Sequence, residues 1–128
     1  MSSSRKRNKE AKKNYDQKYR REHRARYWAT NSIFKHKQSG FDVEISVDFL
    51  EDLYNKTEFC QICGTKLEKE SSKRKDYGNT PTLDRIDNEK VIKEDNCWIV
   101  CHSCNTMKGS HPMNQFLEKI GKIIERFK

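Results

Sequence analysis

The chain has 128 residues, 33% hydrophobic and 36% charged, with a formal net charge of +8. That is enough for one modest core and an appendage, not for several large domains. No stretch is apolar enough to span a membrane and the opening lacks the apolar core of a signal peptide, so a cytoplasmic chain is expected, its five cysteines read as thiols and thiolates rather than disulfides.

The charge is uneven. Residues 1–28 hold eleven Lys or Arg against three acids, while the remaining residues balance at sixteen each. The excess therefore lies in an arm, residues 1–40, and a block of this sort attracts a polyanion; nucleic acid is the natural one because each neutralised phosphate releases a counterion. Arg20, Arg21 and Arg24 are its candidate DNA contacts, with a merely solubilising tail as the alternative. From Ala11 to about Lys37 there is no Pro or Gly, which predicts a long helix. Tyr15, Tyr19, Tyr27, Trp28, Ile33 and Phe34 recur along it at helical intervals, and its rear half, Tyr27 to Phe34, is expected on the body. Gly40 suits a C-terminal cap. Phe41 to Ile45 alternates apolar and acidic residues, a short strand signal. Ser46 then caps a scaffold helix with Val47, Leu50, Leu53 and Tyr54 on one face and Asp48 early in it.

Two C-x-x-C pairs follow, Cys60/Cys63 and Cys101/Cys104, the ligand set of a closed, structural, tetrahedral zinc. Redox dithiols are the weaker alternative, since they need one pair in a βαβ setting. Glu68 to Thr80 reads as a loop in which Lys73, Arg74 and Lys75 either touch a second phosphate or are simply solvated. Cys97 reads as a small buried thiol. His102 lies inside the second knuckle, but four thiolates already fill the shell, which leaves it as a candidate for proton transfer. Asp84 follows a short apolar run and Asn105 follows the last thiolate, so one zinc can bring both to a common point. Carboxylate and amide oxygens suit Mg²⁺ or Mn²⁺, which complete their shell with water and substrate phosphate. This is a phosphodiester site in outline.

The turn Asp84-Arg85-Ile86-Asp87, the pair Asp95-Asn96 about ten residues on, and Asn105-x-x-Lys108 carry a resemblance. The segment from about 41 to 120 resembles the HNH, or ββα-metal, endonucleases, most closely small phage and prophage members. It is also similar to a phage junction resolvase that brackets the same finger with two C-x-x-C knuckles. The resemblance implies a β-hairpin followed by a helix, here strands at Thr82–Leu83 and Cys97–Val100 and a helix at Ser103–Gly109. It implies Asp84 and Asn105 as catalytic metal ligands, Asn96 as a brace for loop and hairpin, Lys108 near phosphate, and a bacterial cell or phage-infected host as the setting. One position departs from the pattern: Arg85 stands where most members carry the His that activates water, and a guanidinium cannot act as general base. General-base help is worth about 10²–10⁴ in rate, a fraction of what phosphate-ester enzymes achieve, so weakened rather than abolished catalysis is expected. Arg85 would instead clamp the scissile phosphate, with Asp87, His102, His111 or a metal-bound water accepting the proton. Val91-Ile92 replaces the Gly-Tyr turn common in the relatives.

After Pro112, Met113, Phe116, Leu117, Ile120, Ile123, Ile124 and Phe127 form the clearest amphipathic pattern in the chain. It is expected to pack on the scaffold helix, although a dimer seam has the same pattern. The expected fold class is α+β: a small ββα-metal finger with structural zinc, flanked by helices, with a basic helical arm at residues 1–40 and the zinc-stapled domain at 41–128. The expected function is a divalent-metal-dependent DNA endonuclease or nickase acting on duplex DNA, with one Zn²⁺ and one Mg²⁺ or Mn²⁺. The alternative is an HNH-like zinc protein that only binds nucleic acid; a third reading is a basic assembly or ribosome-associated factor.

Overall fold

The computed structural model describes residues 2–70 and 78–128, with side chains from Lys9 onward. The loop positions Lys73, Arg74 and Lys75, read above as a second phosphate contact, lie outside the described residues. The fold is α+β: α1 (Ser2–Glu22), α2 (Arg24–Gln38), α3 (Val47–Lys56), β1 (Pro81–Asp84), β2 (Trp98–Cys101), α4 (His102–Lys108) and α5 (Met113–Arg126).

The long helix expected over 11–37 is present as α1 and α2, broken at His23, where φ is −122° and ψ 41°. Hydrogen bonds from His23 N to Tyr19 O and from Tyr27 N to His23 O run through the break, so it is a kink rather than a turn. At the far end Gly40, at φ +91°, closes α2. Phe41 N donates to His36 O and Gly40 N to Lys37 O, the paired bonds of a Schellman cap, which needs a residue without Cβ cost at this φ. Ser46 Oγ accepts from Phe49 N at 3.0 Å and starts α3 as its sequence suggests.

α2 lies against α3, and Arg26 of α2 bridges to Asp48 and Glu51 of α3 at 2.7 and 3.0 Å. These pairs are exposed and worth little individually. The packing beneath them matters more. Ala29 and Ile33 of α2 and Leu50 of α3 are buried with Leu83, Ile92 and Cys97, while Tyr54, Cys60, Leu67, Ile99, Val100, Cys101 and Cys104 form a second cluster. Trp28 and Leu53 pack against both, which joins them into one core. Cys97 is thus a core thiol, away from the other four cysteines, and burial pushes it up to about 11.

β1 and β2 are antiparallel, with Pro81 opposite Cys101 and Asp84 opposite Trp98. β2 runs directly into α4, whose N-cap is Cys101; its sulfur accepts from Cys104 N at 3.4 Å. The strand expected at 41–45 is reduced to a single parallel bridge, Val43 to Ile92. Alternation gives a segment the right faces, but only the short stretch at 91–92 is available to pair with it.

The largest difference concerns α5. The pattern is helical as expected, yet α5 makes no extensive contact with α3 or with any other described element. Phe116 is buried, whereas Leu117, Ile123 and Ile124 are more than half exposed and Phe127 is 83% exposed. Replacing Leu117 and Ile124 together by Lys is therefore expected to change stability by only about 0.5 kcal/mol per site, because side chains more than half in water lose little. A thermal melt at low protein concentration checks this; a fall of 10 °C or more would mean that the face is covered.

Candidate metal and phosphate site

The first knuckle is built on a tight hairpin in which Phe59 bridges to Lys66, and Cys60 N donates to Thr65 O at 2.8 Å. Gly64, at φ +76°, turns the chain after the second thiol. The second knuckle is the junction of β2 and α4. All four sulfurs, of Cys60, Cys63, Cys101 and Cys104, lie within 4.8 Å of one another. Four thiolates about 2.3 Å from a tetrahedral centre stand about 3.8 Å apart, and Cys63 Sγ and Cys101 Sγ are separated by 3.8 Å. The set can hold a metal ion, and the soft, closed donor shell suits zinc.

Backbone amides converge on these sulfurs. Cys60 Sγ accepts from Ile62 N and Cys63 N at 3.4 Å and from Cys101 N at 3.2 Å, so an amide of the second knuckle supports a sulfur of the first. Such donors stabilise negative sulfur and fix its direction. Cys63 is the exposed member; the Thr65 side chain, then its backbone, draws its thiol down to about 6. Burial pushes Cys101 and Cys104 upward. His102 stands outside the cluster, with Nε2 3.4 Å from Thr106 Oγ1.

Asp84 ends β1. Trp98, opposite it on β2, donates Nε1–H to Asp84 Oδ2 at 2.9 Å, and Lys108 Nζ reaches the same oxygen at 2.9 Å. Lys108 is 0% exposed, and its ammonium also donates to Arg85 O at 3.1 Å, with Asn88 Oδ1 at 3.5 Å. This corrects the sequence reading of Lys108 as a phosphate contact: the residue lies inside the molecule, its charge consumed by Asp84. Asp84 Oδ1 takes no hydrogen bond from the described residues. Asn105, one turn before Lys108 on α4, makes no side-chain hydrogen bond to a described residue.

Asn96 is 4% exposed and holds the loop after β1. Its amide oxygen accepts from Asp87 N at 2.7 Å, and its amide nitrogen donates to Asp87 O at 3.0 Å and Val91 O at 2.9 Å. Arg85 lies on that loop, its guanidinium 4.6 Å from the Phe41 ring centre and donating to Lys90 O at 3.4 Å.

In the arm, Arg20 stacks over the Tyr27 ring at 4.8 Å and Arg24 donates to Lys69 O at 2.7 Å, while Arg21 is exposed. Sequence reasoning missed Trp98 and Lys69. Trp98 was signalled only by its register opposite Asp84, and Lys69, which donates to Tyr54 O at 2.7 Å, looked like any other loop lysine. No family model matches the chain, and no curated protein and no solved structure matches it.

Proposed function

We propose that the chain is a zinc-stapled endonuclease of the HNH type that hydrolyses or nicks DNA phosphodiester bonds, with β1, β2 and α4 as its ββα-metal finger. One observation carries this: Asp84, a carboxylate with one oxygen that no described residue bonds, is tied to α4 a single turn from Asn105, an amide without a side-chain partner among the described residues. In this reading zinc fills the four-sulfur shell and is structural, since the protein takes all four positions. Asp84 Oδ1 and the Asn105 amide oxygen would hold Mg²⁺ or Mn²⁺. When bound, such an ion supplies polarisation of the phosphoryl oxygen and charge at the leaving oxygen. Asp84 already shares its charge with Lys108, so the protein alone offers a dication little net attraction and the substrate phosphate must supply the rest. Arg85 grips phosphate from a loop that Asn96 holds in shape, and the basic arm brings in duplex. The setting would be the cytoplasm of a bacterial cell or phage-infected host.

A second reading has an observation in its favour. The Lys108 ammonium sits where Asp84 would be most negative, and Arg85 cannot take a proton, which suits a finger that binds nucleic acid without cutting it.

Plasmid nicking with Mg²⁺ or Mn²⁺ separates the two. Asn105→Ala is the cleaner variant, because its amide bonds no described residue, whereas Asp84→Ala strands a buried ammonium. Nicking by the parent that falls about 100-fold or more in Asn105→Ala supports the nuclease. Nicking equal in both proteins sinks it, and a folded, DNA-binding parent that never nicks establishes the second reading.

A further inference from the structure

Between the arm and the body lies a cleft of about 660 Å³, with Arg20, Arg21 and Arg24 on one wall and Lys69 on the other, and with Tyr27 and Trp28 beside the arginines. We infer that this cleft seats an unpaired nucleotide, so that the arm engages single-stranded nucleic acid as well as duplex. The inference rests on the nucleic-acid reading above and adds the strandedness of the ligand.

Size argues first. A recess of this volume is that of a small-molecule site and admits one or two nucleotides, whereas a duplex, whose major groove alone is about 12 Å wide, cannot enter a recess and needs an open face. The walls argue next. Cations along a groove with aromatic rings beside them are what a single strand requires, phosphates going to the cations and bases to the rings. Arg20 already lies over the Tyr27 ring, 4.8 Å from its centre, and its guanidinium bonds no described residue, which leaves it to meet phosphate. Arg24 and Trp28 are pinned to the opposite wall through Lys69 O and Pro81 O, at 2.7 and 3.0 Å, so the recess is preformed. Glu68 and Glu70 also line the cleft. They repel phosphate from that side and steer the backbone along the arginines.

The test is fluorescence anisotropy on the full-length, zinc-loaded protein with no other divalent ion added, so that cleavage plays no part. The probes are a labelled oligothymidylate of about ten nucleotides and a duplex of ordinary sequence. Exchanging Arg20 and Arg21 for Ala is expected to weaken single-strand binding about tenfold more than it weakens duplex binding. Exchanging Lys12 and Lys13 for Ala removes the same charge outside the cleft and should weaken both probes alike. Tyr27→Leu, which keeps the charge, should weaken the single strand about tenfold and leave duplex within twofold. Equal losses for both probes in the two double variants would overturn the cleft while leaving the endonuclease reading to its own nicking assay. A protein that binds duplex but not the oligothymidylate would overturn it as well.

Discussion

Stripping the proposed zinc with a strong chelator is expected to unfold the body of the protein outright. A structural zinc contributes an apparent free energy of about 10–16 kcal/mol that exists only in the folded state, whereas a domain of this size has about 5–15 kcal/mol of net stability to lose. The chain has little in reserve: only 33% of its residues are hydrophobic, and half of the core is built on the cysteines themselves and the strand between them. Circular dichroism should show the cooperative melt disappear on chelation, and all five thiols should become reactive. Before chelation none should react quickly, because four would be bound to the metal and Cys97 is buried with its thiol pushed up to about 11. Cys104→Ser should behave like chelation and Cys97→Ala should not. Protons compete with metal for the same sulfurs, so acidification works in the same direction. An identical melt with and without chelator would remove the metal from the account.

Lys108→Met should be the most damaging single exchange away from the cysteines. It keeps the bulk of the side chain but leaves the Asp84 carboxylate buried, facing only Trp98 on that oxygen. Breaking a buried pair by removing one partner costs about 3–5 kcal/mol, which corresponds to a fall of roughly 10–20 °C in Tm for a chain of this length. Restoring neutrality with Asp84→Asn in the same protein should recover most of the loss, a coupling that separate, additive sites would not give. Divalent ions add a second reading of the same variant. With the ammonium gone, Asp84 carries its full charge, so millimolar Mg²⁺ should raise the Tm of Lys108→Met while leaving the parent unmoved. A variant that Mg²⁺ does not stabilise would count against Asp84 as a cation ligand.

How much of this was legible in the chain depends on whether the signal was local. The knuckles, the Ser46 cap and the Gly40 cap are fixed by residue types within five positions of one another, and the structure has them where spacing placed them. The buried state of Lys108 was not legible. A lysine three residues past a proposed ligand looks like a solvated charge until Asp84, brought under α4 by the strand pair, takes it in. α5 failed differently: periodicity states that one face is apolar, and it says nothing about what will lie against that face. The break at His23 leaves no Pro or Gly in the sequence to announce it.

Trp28 joins two parts of the molecule that composition alone would treat as separable. Its indole bonds the carbonyl of Pro81, the first residue of the strand that ends at Asp84 and the one facing Cys101 across the ladder. Helix α2 is therefore bolted to the strand pair rather than strung from it. A displacement of α2 is thus felt at the start of β1, and the emission of that indole should serve as a built-in gauge of the joint.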